Sequence, residues 1–233
     1  MNRWRLVGLV AAVVLAAACA PQATRPPAVA GAAAMPSGVQ ERYDALARSG
    51  QPVFVVDPAS SIVVLEVRRA GSLANLGHDH VVASHEVRGF VAPSTGSADV
   101  SIRVDALEVD EAALRSAAGF DTQPSQADIA GTQHNMSTRV LHADEHPFVL
   151  VHVAGVRAES GTQMLHPTLT LNGVEQTSDA PSSIAVSAGE IRVKGETVIL
   201  QTAFGIKPFS ILGGALEVAD PVTVRFDIVA RSR

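Results

Sequence analysis

The chain of 233 residues has few groups able to cross-link and few aromatic rings. Its single cysteine, Cys19, excludes any intramolecular disulfide, so the core must hold by packing alone. One tryptophan, Trp4, and one tyrosine, Tyr43, leave phenylalanine as the only aromatic residue from Gln51 onward. Lysine is confined to Lys194 and Lys207, and every other cation is arginine. There are 18 basic residues against 23 acidic ones, a formal charge of −5 at pH 7. That balance excludes nucleic acid, whose phosphates need clustered cations, and electrostatic adhesion to an anionic bilayer. Also missing are a G-x-S-x-G elbow, a phosphate-binding glycine loop and an H-E-x-x-H pair. Nothing in the chain calls for an enzyme or a cofactor.

The N-terminus carries a different kind of signal. Asn2-Arg3-Trp4-Arg5 is basic, and Leu6 to Leu15 is apolar throughout apart from Gly8. That run is too short for the roughly twenty residues that span a bilayer, and it reads as a secretory leader over residues 1–18. Ala16-Ala17-Ala18 then leads into Cys19, an arrangement resembling a bacterial lipobox, although Ala16 stands where leucine is usual. The resemblance implies cleavage before Cys19 and lipidation of its thiol, giving a membrane anchor such as palmitate-bearing lipoproteins have. Ala20 is not the aspartate of inner-membrane retention, so an outer-membrane-anchored domain facing the periplasm is expected. Loss of Arg3 and Arg5 with the leader takes the mature charge to about −7.

Residues 19–50 hold prolines and many alanines without a sustained apolar period, and so read as a tether. Within it, Glu41 to Arg48 has two helical turns' worth of sequence, too short to stand alone in water. Residues 51–233 suit one domain. There, alternation with a period of two dominates. Val222, Val224, Phe226, Ile228 and Ala230 share one face, opposite Thr223, Arg225 and Asp227. Val63, Leu65 and Val67 oppose Glu66 and Arg68, and Val100, Ile102 and Val104 oppose Ser101 and Arg103. Leu169 and Leu171 repeat the pattern, as do Ile191 and Val193, after which Gly195 reads as a turn. Phe148 to Val153 is apolar on both parities except at His152, which suggests a strand covered on both sides. Half-buried antiparallel strands have this signature. One helix interrupts them, from a Ser125 cap with Asp128 three residues on, to about Leu141; a shorter turn over Asp110 to Ala117 precedes it. The fold expected is all-β with one or two short helices, an antiparallel barrel of about eight strands. Such a barrel either fills its interior or encloses one small ligand.

Several segments together resemble the YceI-like, polyisoprenoid-binding family. Asp57-Pro58-Ala59-Ser60-Ser61-Ile62-Val63 resembles its opening, and Val140 to Phe148 its helix-to-strand passage. Leu169-Thr170-Leu171-Asn172-Gly173-Val174 is similar to its hairpin, Phe204-Gly205-Ile206 to a late element, and Val222 to Ala230 to its closing strand. Thr202-Ala203 depart from it, where the family often has arginine and aspartate. The resemblance implies a lipocalin-like barrel around a tunnel for an apolar, lipid-like ligand, an isoprenoid or fatty chain. True lipocalins usually carry a first-strand tryptophan, which this domain lacks. The residues expected to line such a tunnel are Val63, Leu65, Val67, Val224, Phe226 and Ile228, with His78 or His80 meeting a head group at its mouth.

A second reading starts from Leu76-Gly77-His78-Asp79-His80, a loop associated with a subgroup of the family. Two histidines two apart on an extended segment put both rings on one side, a workable zinc or copper chelate. Asp79 points away in that conformation. His85 shares the parity of Val81 and Ala83 and is expected inward, while His134, His142, His146 and His152 lie where they could approach the loop.

Overall fold

The computed structural model describes residues 35–233; the leader, Cys19 and the first part of the tether lie outside the described residues. The first element is α1, Ser37–Arg48. It is followed by β1 Phe54–Val56, β2 Ile62–Ala70, β3 His80–Ser84, β4 Val87–Ala92, β5 Ser97–Arg103 and β6 Glu108–Val109. Two short helices intervene, α2 Ala112–Ala117 and α3 Gln126–Asn135. The rest is β7 Phe148–Ala154, β8 Gly161–Leu165, β9 Pro167–Leu171, β10 Val174–Thr177, β11 Ala180–Ser187, β12 Glu190–Leu200, β13 Ser210–Ile211 and β14 Leu216–Ser232.

All the strand pairs are antiparallel, and their ladder returns to itself. β8 and β9 are one strand bent at His166, and β10 and β11 are its hairpin partner, bent at Ser178-Asp179. The bend is held by the Ser178 amide, which donates to the Pro167 carbonyl at 3.1 Å. β9 pairs with β7, β7 with β5, β5 with β4 and β4 with β1. β1 pairs with β14, β14 with β12, and β12 with β11, which closes the circuit. β1 and β2 are successive halves of one strand, interrupted by a turn at Pro58–Ser60, and both lie along β14. The result is an eight-stranded antiparallel barrel, as the alternation predicts, in which β3 and β4 are likewise successive halves of one strand beside β2 and β1, and β6 extends β5 beside β3. Closure satisfies every edge that an open sheet would present.

Glycine contributes at two places inside the wall. A Cβ on Gly89 would lie 2.3 Å from the Asp99 carbonyl oxygen, so only glycine allows β4 and β5 to approach so closely. Gly195 makes no turn. It sits in the middle of β12 opposite Phe226, whose ring occupies the space of the missing side chain, 2.5 Å from where a Cβ would stand. The sequence reads it as punctuation because glycine marks turns and ring-covered gaps alike.

The folded unit also begins earlier than residue 51. α1 packs on the outer wall through Tyr43, fully buried, with Met35, Val39 and Leu46 against Val53, Phe90 and Ala92. The Tyr43 ring stacks on Phe90 with centroids 5.0 Å apart. Its hydroxyl donates to Asp99 at 2.6 Å, joined there by Arg42 and by His152 Nδ1 at 2.9 Å. Burial, then the bond to Asp99, pushes the Tyr43 pKa up to about 12. Asp99 is held below the ordinary carboxylate range: burial opposes this, but the bonds from Tyr43 and His152 and the charge of Arg42 outweigh it. These tertiary contacts supply the stability that a short isolated helix lacks.

Candidate functional site

The barrel interior is built from the alternating faces. Register aligns Val63 with Phe226, Leu65 with Val224 and Val67 with Val222 across β2 and β14. On the other side of β14, Ile228 meets Val193, Val224 meets Thr197 and Val222 meets Ile199. At one end of these rows Val56, Ala98, Ala180, Ile184, Ile191 and Ala230 are buried together. At the other end Leu169, Leu171, Ile199 and Val222 are buried with Phe204 and Ile206. Along the same faces the inward side chains Leu65, Val67, Val100, Val149, Val151, Val193, Val224, Phe226 and Ile228 are only half-buried. In an interior packed to ordinary density, mid-barrel residues would be the most completely covered. Here many inward side chains keep accessible surface although Val63, Val82 and Val87 beside them are buried, so space remains along part of the interior.

α3 covers the Val222 end. It begins as its sequence predicts: the Ser125 hydroxyl accepts from the Asp128 amide, and the Asp128 carboxylate accepts from the Ser125 amide at 2.9 Å. A π-helical turn, Met136–Val140, follows, and Ile129, Met136 and Leu141 pack onto the core.

Beneath α3 lies a polar node. His80 pairs in register with Val67 and shares the inward parity of Val82. Its Nδ1 is 2.6 Å from Asp110 Oδ2. The Asp110 side chain is wholly buried; its Oδ1 accepts from the Val81 amide at 3.0 Å and from Arg115 Nη1 at 2.6 Å. Burial works to raise the pKa of Asp110, but the bonds from His80, Val81 and Arg115 win and hold it below the ordinary range. Arg115, itself buried, also donates to the Asp79 and Thr122 carbonyls at 2.5 and 2.6 Å. The His80 Nε2 faces Thr132 Oγ1 of α3 at 3.5 Å. The His78 ring meets His80 edge-on, with centroids 6.2 Å apart, and its Nδ1 is buried without a partner.

All six expected lining residues, Val63, Leu65, Val67, Val224, Phe226 and Ile228, thus fall in one interior cluster, and His78 and His80 stand together at one end of it. Asp79 does turn away: it accepts from the Arg69 amide at 2.9 Å. The other histidines do not join. His85 is exposed on Glu111 at 2.8 Å, at a turn rather than inward, and His134 is exposed on α3. His146 lies against Gly173, and His152 is on the outer wall at Asp99. Among the described residues no group of three or more His, Cys, Asp or Glu side chains is placed to hold a metal. Asp110 takes only Nδ1 of His80 and leaves Nε2 towards α3. Asp110 and Arg115, which orient the node, escaped the sequence reading, and the only local hint was an aspartate just before a short helix.

Residues 54–230 match the family model described as the YceI-like domain. No curated protein matches the chain. Among solved structures, a polyisoprenoid binding domain from Saccharophagus degradans, implicated in plant cell wall breakdown, is similar with a TM-score of 0.57 at 13% identity. The likeness covers 77% of this chain and 98% of that one. Burkholderia cenocepacia BcnA is similar with a TM-score of 0.51 at 17% identity, over 75% of this chain and 98% of its own. At these identities the two structures attest the barrel fold.

Proposed function

The chain belongs to the YceI-like family, and from that premise we propose that its barrel binds an apolar chain, isoprenoid or fatty. The observation that carries the proposal is the set of apolar side chains that face the interior of the wall yet stay only half-buried, among them Leu65, Val67, Val224, Phe226 and Ile228. The similar Saccharophagus domain, described as polyisoprenoid binding, supports the same reading. Each methylene buried there contributes about 0.8 kcal/mol, so a long chain binds well with few polar contacts. We further propose that Cys19 is the lipid-bearing residue of an outer-membrane-anchored, periplasmic protein, which keeps the barrel near the membrane from which an insoluble ligand comes.

Val224→Trp tests the central reading, because Val224 is half-buried and faces Leu65 and Thr197 across its two neighbouring strands. Added bulk in an empty lumen displaces ligand and leaves the fold, whereas in a filled core it costs about 1–3 kcal/mol. Binding is followed with a fluorescent long-chain probe, stability by thermal unfolding, and co-purified lipid by native mass spectrometry. The expected result is weakened probe binding at nearly unchanged stability. A clearly destabilised variant, together with a parent protein that neither binds probe nor carries lipid, refutes the proposal.

A further inference from the structure

We propose that the Asp110–His80 pair is a recognition site for an uncharged hydroxyl group on the apolar ligand, selecting a long-chain alcohol over the corresponding ether, phosphate or carboxylate. This rests on the lumen reading above and adds to it the chemistry of the head group.

The argument begins with the buried carboxylate. An ionised carboxylate can only accept hydrogen bonds, so the nitrogen 2.6 Å from Asp110 Oδ2 carries the proton. In the neutral ring the other nitrogen, Nε2, is then a lone pair held in a fixed direction. Its described partner, Thr132 Oγ1 at 3.5 Å, is at the limit of a hydrogen bond. Beside it, His78 Nδ1 is buried and unpartnered. Under-satisfied nitrogens at the end of an apolar lumen call for a ligand that brings a donor.

Charge decides which donor. The arginines around the node are committed elsewhere. Arg115 serves Asp110, Asp79 and Thr122; Arg69 serves the Gly77 carbonyl and Asp121; Arg68 serves Glu66. The carboxylates of Asp110 and Asp128 lie within reach of the two rings, Asp128 Oδ2 being 3.8 Å from His78 Nε2. An anionic head group would meet these acids without a counter-charge. An ether oxygen would set lone pair against lone pair. A hydroxyl donates to Nε2 and leaves its chain along Val67 and Leu65, the inward residues that follow from His80 across β2 and β3.

The test is the equilibrium binding of geranylgeraniol, its methyl ether and its monophosphate to the purified protein, read by displacement of a fluorescent fatty probe. The alcohol is expected to bind about threefold to tenfold more tightly than the ether, the worth of one hydrogen bond, with the monophosphate weakest. His80→Phe should erase the preference of alcohol over ether. Thr132→Val, which removes only the competing hydroxyl, should keep it. In nitrogen-15-labelled protein the His80 Nε2 resonance should shift upfield with the alcohol and not with the ether. If His80→Phe does not fold, Thr132→Val and the nitrogen resonance decide the matter. Equal binding of alcohol and ether, tighter binding of the monophosphate, or a preference that survives His80→Phe overturns the head-group site and leaves the lumen reading standing. Failure of all three ligands to bind overturns both.

Discussion

Asp110→Ala is expected to be among the most damaging single substitutions outside the apolar core. The carboxylate it removes is wholly buried and accepts from the Val81 amide, Arg115 and His80 at 3.0, 2.6 and 2.6 Å. Arg115 stays behind, buried, with carbonyl oxygens for company but no anion. Breaking a buried pair in this way costs about 3–5 kcal/mol, because the surviving charge is uncompensated. For a domain of this size that is a fall in Tm of about 6–20 °C. Urea unfolding followed by far-ultraviolet circular dichroism measures it, at unchanged m-value if the change is confined to the native state. Converting the pair with Asp110→Ala/Arg115→Met should recover much of the loss, since an apolar replacement removes the orphaned charge. The effect has a pH signature. The folded pKa of Asp110 is lowered from an unfolded value of about 3.9, so its contribution is complete above about pH 4 and is lost as pH falls through the folded value. The gap between parent and variant should therefore narrow below about pH 4. A loss under about 1 kcal/mol at neutral pH, or a gap that widens on acidification, would refute the reasoning.

Three other outcomes are expected. Gly89→Ala should lower stability by about 1–3 kcal/mol, because the new methyl meets backbone atoms of β5; an unchanged thermal midpoint would mean that the strands part freely. Tyr43→Phe keeps the stack on Phe90 but deletes a buried bond to a charged acceptor, for a loss of about 1.5–3 kcal/mol in denaturant unfolding. A double-mutant cycle with Asp99→Asn should show coupling between the two, and additivity would dissociate them. Cys19→Ser should release the protein from membranes in a carbonate wash; retention would put the anchor elsewhere.

What was legible in the sequence was local or periodic. β2, β5 and β14 announce themselves because one buried face imposes a period of two. The start of α3 is readable because Ser125 and Asp128 cap each other across three residues. The docking of α1 is not, because Tyr43 finds Asp99 across 56 positions of sequence. The polar node is hidden for the same reason: His80 and Asp110 are 30 positions apart, and a buried charge looks like a surface charge until its partners are known. Periodicity also could not distinguish a filled barrel from a hollow one, since both need apolar inward faces; how fully those faces are covered is a property of the assembled wall.

The arrangement of β14 has a consequence for how the protein comes into being. This strand, the last of the described chain, is where β1, β2 and β12 meet. Until it docks, the first and twelfth strands have open edges, and the interior is a trough facing solvent rather than an enclosure. A chain that emerges N-terminus first must therefore wait for β14 before the barrel can seal, with long-range pairings that fold slowly and invite mispairing meanwhile. Truncation within the last residues of β14, which pair with both β1 and β12, should then do more harm than their surface position suggests. A ligand held inside a sealed wall would be best acquired either during that last closure or through a later opening at one end.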